Sequence, residues 1–482
     1  MAGGAGHPPR YKAGMAEPTP QTEAETPREA FDEGHLSRGF VSDVATRLER
    51  GDDEAVRAMV APLRPADIAE LFALVPENDR GPLAVAIGEA LDADVMAELA
   101  DYVREDVLAA MSVGAVAEMV MQLDTDDAVA IIEDLEDDEA REVLDALAPE
   151  DRADIVAALN YPEESAGRLM QRELVAVPEA VTVGDVIEQV RVTIDPATDF
   201  WEIFVIDTER RPVGTMRLSW LLTTPPEVAV ADVMQREQTL IPVDMDQEEV
   251  ALLFQKYALI SAAVVDGGGR LVGVITVDDV VHIIQEEAGE DALKLSGAGD
   301  GDINEPILET YKTRSRWLIA NLGTAMVSSS VITMFEPTIE KLVVLAALTP
   351  IVASVGGNAG TQTMAVAVRA LATNQLTESN TQRTIWREIR VAMLNGGTIA
   401  ALVGIGTAVI FGNPVLGLVI AAAVLFNIMV AGLAGVMVPV ALERWGADPA
   451  VASSVFVTMM TDTLGFLSFL GLATMVGVAN LS

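Results

Sequence analysis

Hydrophobic positions divide the chain into an amphipathic part and a strongly apolar part. Between residues 37 and 160, apolar side chains recur at spacings of three and four, as at Val129, Ile132 and Leu135, which is the pattern of amphipathic helices. Capping residues such as Thr125 open these segments, so the sequence predicts an all-α solenoid of short helical hairpins. Residues 1–36 lack aliphatic periodicity and are predicted to form a disordered tail.

An internal repeat occupies residues 161–290. Leu169-Met-Gln-Arg-Glu recurs as Val233-Met-Gln-Arg-Glu, and Val205-Ile-Asp recurs as Val264-Val-Asp, which predicts two α+β units at about 161–225 and 226–290. The repeat resembles paired CBS domains. Such pairs often bind adenine nucleotides, which makes ATP a candidate ligand, but Gly267-Gly-Gly fits a plain hairpin turn better than a phosphate-binding loop.

Five apolar segments close the chain, at residues 317–335, 342–371, 391–411, 415–442 and 451–479. Each is as long as the ~18 to 20 residues that a spanning helix needs, which predicts a polytopic α-helical membrane domain over residues 317–482. Arginines cluster before the first segment and after the second and fourth. By the positive-inside rule, and with no signal peptide at the start, the protein is predicted to cross the inner (plasma) membrane five times, with a cytoplasmic N-terminus and an external C-terminus.

Two features of the apolar part are polar. Residues 350–363 read Pro-Ile-Val-Ala-Ser-Val-Gly-Gly-Asn-Ala-Gly-Thr-Gln-Thr, and we expect a break in the helix that lines a cavity and offers backbone carbonyls. The alternative is close packing of helices through small residues, which explains the glycines but not the amides and hydroxyls beside them. Asp462 is the carboxylate that lies well inside the last segment, so we expect it to face water or an ion. The alternative is that Asp462 is a buried carboxyl that is hydrogen-bonded to a neighbouring helix.

Charge separates the two parts further. Residues 311–482 contain 9 Lys and Arg against 7 Asp and Glu, which leaves 22 basic and 66 acidic residues, a net charge of −44, to residues 1–310. Such an acidic surface repels nucleic acid and favours multivalent cations. The chain has no Cys and three His, which excludes thiol catalysis and soft-metal sites and predicts hard cations with oxygen ligands.

The segment Gly-Gly-Asn-Ala-Gly-Thr-Gln, followed by Arg-Ala-Leu-Ala-Thr, resembles the signature of MgtE-type magnesium channels. The resemblance extends over almost the whole chain after Arg38. It implies an N-terminal domain over residues 37–160, a CBS pair over 161–290, a linker with a plug helix (about 304–315) over 291–316, and a homodimeric pore with five transmembrane helices per subunit over 317–482.

The resemblance also implies site residues. The pore positions fall on Asp462, Gly357, Asn358, Thr361, Ser454, Thr458 and Gly465. The positions that would bind regulatory Mg²⁺ fall on Asp246, Glu248, Asp279, Glu290, Asp291 and Asp448. Thr361 and Ser454 stand where some relatives have Asn, which leaves the choice among Mg²⁺, Co²⁺, Ni²⁺ and Mn²⁺ open, and His282 and Ala258 stand where relatives often have Asp.

The function that these observations favour is Mg²⁺ import, gated by cytoplasmic Mg²⁺ that bridges acidic domains. Two or three weak sites would suffice to shift the gate between its two states. One site contributes ~2.7 kcal/mol when the Mg²⁺ concentration is a hundred times the dissociation constant. A secondary carrier that exchanges Mg²⁺ for Na⁺ or H⁺ is the main alternative. A membrane-tethered CBS scaffold leaves Asp462 unexplained, and the sequence shows no constellation of an enzyme.

Overall fold

The computed structural model describes residues 30–32, 35–193, 200–297, 307–377 and 379–477, without the side chains of Thr193, Asp291 and Glu309. It forms two compact units, Met1–Asn160 and Tyr161–Ser482. Most of the predicted tail, residues 298–306 of the predicted linker and plug, and the side chain of Asp291 lie outside the described part. The predicted fold class, with a helical N-terminal part, a CBS pair and five membrane-capable helices, is confirmed.

The described residues of the first unit are helical apart from two short antiparallel strands, β1 (Phe31–Asp32) and β2 (His35–Leu36). Its helices are α1 (Arg38–Glu49), α2 (Asp53–Val60), α3 (Pro65–Leu74), α4 (Glu77–Ile87), α5 (Ala93–Ala97), α6 (Asp101–Leu108), α7 (Val113–Val120), α8 (Thr125–Glu133), α9 (Asp137–Ala146) and α10 (Pro149–Ala158). Helices two positions apart pack together, as α2 does with α4 and α4 with α6.

The start of this unit differs from the prediction. The predicted tail extends to residue 36, but Leu36 is buried in the core of the unit, and the Nδ1 atom of His35 lies 3.0 Å from a carboxylate oxygen of Glu70. These contacts place His35 and Leu36 against the helical unit. Ser37 then caps α1 by accepting a hydrogen bond from the N–H of Phe40, a role that Ser often takes at the start of a helix. The predicted cap Thr125 is instead the first residue of α8, and Asp124 is the N-cap.

The CBS pair contains two three-stranded sheets in the orders β3-β4-β5 and β6-β7-β8, each with one parallel and one antiparallel pair. Its elements are α11 (Ala166–Leu169), β3 (Ala176–Pro178), α12 (Val183–Thr193), β4 (Glu202–Ile206), β5 (Pro212–Arg217), α13 (Leu218–Thr223), α14 (Val230–Val233), β6 (Leu240–Pro242), α15 (Gln247–Tyr257), β7 (Ser261–Val265), β8 (Leu271–Thr276) and α16 (Val277–Lys294).

The segments that begin the two repeats, which contain Met170 and Met234, each pack on the sheet of the other repeat. This corrects the predicted division at residues 225 and 226. Met170 packs on Gly273 of the second sheet, whereas Met234 packs on Gly214 of the first. A Cβ at Gly273 would lie 2.6 Å from the Met170 sulfur, and one at Gly214 would lie 2.8 Å from the Met234 sulfur. Each glycine of the repeated Val-Gly pair therefore accommodates the methionine of the other repeat.

The glycines at 267–269 form a hairpin turn, as predicted. Gly269 has a φ of +76°. An Asp266 carboxylate oxygen accepts hydrogen bonds from the N–H groups of Gly268 and Arg270 at 2.8 and 2.9 Å. The backbone donor of Arg270 and, to a lesser extent, that of Gly268 hold the pKa of Asp266 below its usual value.

Within the part that the structure describes, the membrane region contains five helices that are long and apolar enough to span a bilayer, and a short helix α18 (Glu336–Lys341). The five are α17 (Ile307–Met334), α19 (Val344–Ala372), α20 (Thr381–Phe411), α21 (Pro414–Arg444) and α22 (Pro449–Val476). Helix α21 is the most buried and packs against α19, α20 and α22. The predicted plug helix at 304–315 is not separate: from Ile307 it is the first part of α17, because helical backbone continues without interruption to Met334.

Candidate ion pathway and its cytoplasmic junction

The polar segment at 350–363 lies inside a continuous helix, which corrects the predicted break. Helix α19 contains 29 residues, and none of its glycines, all of which the structure describes, has a positive φ. The hydroxyl of Thr361 donates to the carbonyl of Gly357 at 3.0 Å. The backbone carbonyls are thus used within the helix, so side chains are left as the polar groups on its surface.

Helix α19 has a glycine face that is buried and a polar face that is exposed. A Cβ at Gly356 would lie 2.1 Å from the amide nitrogen of Asn427, and one at Gly360 would lie 2.7 Å from Val457. Asn358 and Thr361 are exposed, and a Cβ at Gly357 would meet nothing within 4 Å. The packing interpretation therefore holds for Gly356 and Gly360, and the pathway interpretation fits the other face.

Helix α22 carries a polar stripe, in addition to the one formed by Asn358 and Thr361 on the polar face of α19. Ser454, Thr458 and Asp462 recur every four residues, so they share one face, and the structure leaves Thr458 exposed and the other two half-buried. Gly465 is not part of this stripe, although it was predicted to line the pore. It is buried, and a Cβ there would lie 2.6 Å from the Asn427 amide, so its role is packing.

The two stripes are neighbours. Gly360 of α19 faces Val457 and Thr461 of α22, since its Cβ position lies 2.7 and 3.5 Å from their methyl groups. Thr361 follows Gly360 directly, and Asp462 follows Thr461. The exposed polar groups of the two helices consequently border the same helix–helix seam.

Asp462 makes no hydrogen bond and no ion pair within the described residues. Glu388, near the start of α20, is by contrast a carboxylate with a partner: it is buried and accepts a hydrogen bond from Arg387 at 2.7 Å. A charged group in a membrane helix requires contact with polar protein groups, an ion or water. The position of Asp462 therefore indicates a hydrated surface beside the seam.

Asn427 is a structural residue that the sequence analysis missed. It is buried in the middle of α21, donates to the carbonyl of Val352 at 2.9 Å, and packs between Gly356 and Gly465. Its Oδ1 atom has no partner among the described residues. The signal was present in the sequence, as one amide in the most apolar of the five segments.

A cavity of about 340 Å³ joins the CBS pair to the cytoplasmic ends of the membrane helices. The carboxylates that line it come from α15, α16, α21 and the cap of α22, and they are those of Glu248, Glu249, Glu287, Glu443 and Asp448. Lys294 at the end of α16 is the lysine among its lining residues. Glu248 and Asp448 were predicted as regulatory ligands, and the other three acids were not.

The other predicted regulatory residues are divided among different places. Asp279 accepts hydrogen bonds from Thr276 at 2.6 Å and Gln171 at 3.2 Å near the start of α16. It therefore lies roughly 16 Å along the helix from Glu290. Asp246 caps α15 by accepting from the N–H of Glu248 at 2.9 Å. Asp279 is thus placed apart from the junction cavity.

Electrostatics connect Asp246 and Glu290 with the cavity. Burial raises the pKa of Glu287, a hydrogen bond from Gln247 opposes that rise, and the negative charges of Glu290, Glu164 and Asp246 add to it. For Lys294, burial lowers the pKa, but the hydrogen bond and charge of Glu290, together with Asp448, outweigh burial and hold the pKa above its usual value. The junction is therefore a crowded anionic site with one ammonium.

The described residues contain no group of three carboxylate or imidazole side chains close enough to form a ready-made metal cage. Mg²⁺ does not require one, because it keeps several waters and is commonly held by one or two carboxylates. The acids around the cavity fit that mode of binding. They do not fit a dehydrated ion enclosed by protein.

Three family models match parts of this chain. The family model described as a divalent cation transporter matches residues 349–472, the MgtE intracellular N domain matches 63–164, and the CBS domain matches 230–286. The magnesium transporter MgtE of Bacillus subtilis is 31% identical over 430 residues, which cover 89% of this chain and 95% of the relative. The protein of the same name from Thermus thermophilus is 31% identical over 88% of this chain and 96% of its own.

Among solved structures, the chain is similar to the cytosolic domain of the Mg²⁺ channel MgtE in complex with ATP. The identity is 30% and the TM-score 0.46, with 50% of this chain and 99% of that chain covered. The soluble part of a magnesium transporter is 25% identical with a TM-score of 0.44, and the match covers 52% of this chain and 98% of that chain.

Proposed function

The chain belongs to the MgtE family of magnesium transporters, and we propose that it is a Mg²⁺ channel of the inner membrane that imports Mg²⁺ and closes when cytoplasmic Mg²⁺ is high. The observation that carries this proposal is Asp462, half-buried and unpaired within the described residues, beside the exposed polar faces of α19 and α22.

The polar stripes favour a pore between two copies of the chain. Asn358, Thr361 and Thr458 are exposed in the single chain, and side chains of this kind are rarely left facing lipid in membrane helices. A second copy that presents the same stripe would enclose them around water and place two Asp462 carboxylates opposite each other. We therefore propose a homodimer whose last helix ends outside the cell.

The pore would hold hydrated Mg²⁺. This ion dehydrates reluctantly, so contacts through its waters suit it better than a tight ring of protein ligands. Asp462 supplies the attracting charge, and the side chains of Asn358, Thr361, Thr458 and Ser454 supply amide and hydroxyl groups. Gly357 leaves space beside them, and the backbone carbonyls play no part, because α19 is unbroken.

The gate would lie at the junction cavity. At low Mg²⁺ its acids, among them Glu248, Glu287 and Asp448, repel one another across the boundary between the CBS pair and the membrane helices. Bound Mg²⁺ supplies positive charge that neutralises them. Glu290 and Asp246 belong to the same anionic region, whereas Asp279 makes hydrogen bonds near the start of α16. We propose the former two, and not Asp279, as part of the sensor.

ATP would have one candidate place, a cavity of about 570 Å³ beside strands from both CBS sheets. Leu240 and Ile260 offer apolar surface there. The arginine in its lining, Arg217, lies 3.4 Å from the Glu202 carboxylate, and Glu237 adds a further negative charge. The lining fits an adenosine group better than a triphosphate, so we expect adenosine and ATP to compete with similar affinities.

The proposal is tested with the purified protein in proteoliposomes. In proteoliposomes whose lumen contains the cytoplasmic domains, we expect Mg²⁺ uptake when the lumen is free of Mg²⁺. Uptake should be strongly suppressed when the lumen contains millimolar Mg²⁺. Single-channel recording separates the two transport mechanisms, because resolved unitary currents are beyond an alternating-access carrier. Uptake that requires a Na⁺ or H⁺ gradient and gives no unitary currents would favour the exchanger instead.

A further inference from the structure

The C-terminal end of α16 is attached to the membrane helices by three different contacts. The Nζ atom of Lys294 lies 3.4 Å from a carboxylate oxygen of Asp448, which caps α22. Leu295 packs against a cluster that includes Met364 of α19. Gly297 turns the chain with a φ of +71°, and its Cβ position lies 3.0 Å from the Trp317 ring of α17. The end of the sensor helix is therefore fixed to three membrane helices.

The ammonium of Lys294 is shared by two carboxylates from different parts of this unit. It pairs with Glu290, one helical turn earlier on α16, and with Asp448 at the start of the last membrane helix. All three side chains are partly buried, with 27% of Lys294, 31% of Glu290 and 41% of Asp448 exposed. Without the lysine, these two acids would face each other next to Glu287 with no positive charge between them.

We propose that Lys294 is a tethered counter-ion that links Glu290 to Asp448, so that the sensor helix docks on the last membrane helix without a divalent cation. This rests on the proposed gating function and adds to it. The ammonium takes up part of the negative charge that attracts Mg²⁺ to the junction. It also gives the docked arrangement a baseline population, which Mg²⁺ at the remaining acids, such as Glu248 and Glu443, then increases.

The proposal predicts a separation between baseline docking and Mg²⁺-dependent docking. Lys294→Met keeps an apolar side chain of similar length but removes the charge. In EDTA, we expect its ratio of docked to undocked molecules to fall about two- to fivefold, with fivefold as the upper end of what exposed ion pairs give. At saturating Mg²⁺ the ratio should recover, because divalent ions can then neutralise Glu290 and Asp448.

Docking can be measured directly, because the natural chain has no Cys. Spin labels on Gly289→Cys of α16 and Gln375→Cys after α19 report the distance between the two parts in the full-length protein in nanodiscs. Gly289 has open space around its Cβ position, and both positions are exposed. Lys294→Arg, which keeps the charge, is the matched control and should resemble the parent in EDTA.

A double-mutant comparison makes the test independent of one substitution. Asp448→Asn retains an N-capping side chain but loses the charge, and in EDTA it should add little to the effect of Lys294→Met. An unchanged docked population in Lys294→Met, or fully additive effects of the two substitutions, would overturn the proposal. Because the readouts in EDTA need neither transport nor Mg²⁺, they stand or fall separately from the proposed channel activity.

Discussion

The two faces of α19 use a similar sequence for different purposes. Gly356 and Gly360 are buried and let Asn427 and Val457 approach the backbone closely, whereas Gly357 and Asn358 border open space. Adjacent glycines in one motif therefore differ completely in what a side chain would meet. The motif therefore combines a packing surface with a polar surface, and single substitutions can separate the two.

The largest effect is expected from the pair Gly356→Ala and Gly357→Ala. The first places a Cβ 2.1 Å from the Asn427 amide, and overpacking of this kind costs about 1 to 3 kcal/mol. It should lower the melting temperature in detergent clearly. The second should leave the melting temperature almost unchanged. Equal melting temperatures for the two variants would contradict the distinction between the faces.

Asn427→Ala should have the next largest effect. It removes the hydrogen bond to the Val352 carbonyl, and polar contacts between membrane helices contribute about 0.6 to 2 kcal/mol. Because the smaller side chain also makes room, the double variant with Gly356→Ala should melt above Gly356→Ala alone. A double variant that is less stable than both single variants would show that the clash at Gly356 is not the cause.

Asn358→Leu tests the polar face of α19, because a leucine side chain is favourable if that face contacts lipid. If this face borders water, we expect normal folding and Mg²⁺ uptake reduced several-fold, because an apolar side chain replaces an amide beside the ion. Uptake assays and melting curves of the same preparations provide the measurement. A more stable protein with full uptake would mean that Asn358 faces lipid.

The smallest effect concerns charge at the cytoplasmic end of the pathway. The folded protein raises the pKa of Glu287 above its ordinary value, so the folded state binds a proton more readily than the unfolded state does. Stability should therefore decrease as the pH rises through the interval between these two pKa values, and then level off. Glu287→Gln should flatten this part of the profile of melting temperature against pH.

Local signals in the sequence predicted much of this molecule. The amphipathic pattern from Thr125 marked the start of α8, the repeated Met-Gln-Arg-Glu marked the CBS pair, and hydrophobic length marked the five membrane-capable helices. The break in α19 was wrong, because glycine permits a continuous helix whose own hydrogen bonds satisfy the backbone. The plug helix was wrong in the same way, since its residues from Ile307 onward simply begin α17.

Contacts between residues distant in sequence could not be predicted in this way. Nothing local to Lys294 indicates that Asp448 lies beside it, and the exchange of Met170 and Met234 between the sheets depends on tertiary packing. Gly465 was assigned to the pore from the family resemblance, yet it lies on the buried side of α22 against Asn427. Asn427 shows the opposite case, where a local anomaly was visible and its partners were not.

The most direct test of the account is Mg²⁺ uptake by Asp462→Asn in proteoliposomes, with Glu336→Gln as the control that removes a carboxylate away from the pathway. Two unit charges 4 Å apart interact by about 1 kcal/mol even in water, and Mg²⁺ carries two charges. We therefore expect Asp462→Asn to fold normally and to lose at least about tenfold in uptake, while Glu336→Gln transports as the parent does. Full uptake by a correctly folded Asp462→Asn would contradict the assignment of Asp462, and with it the proposed pathway.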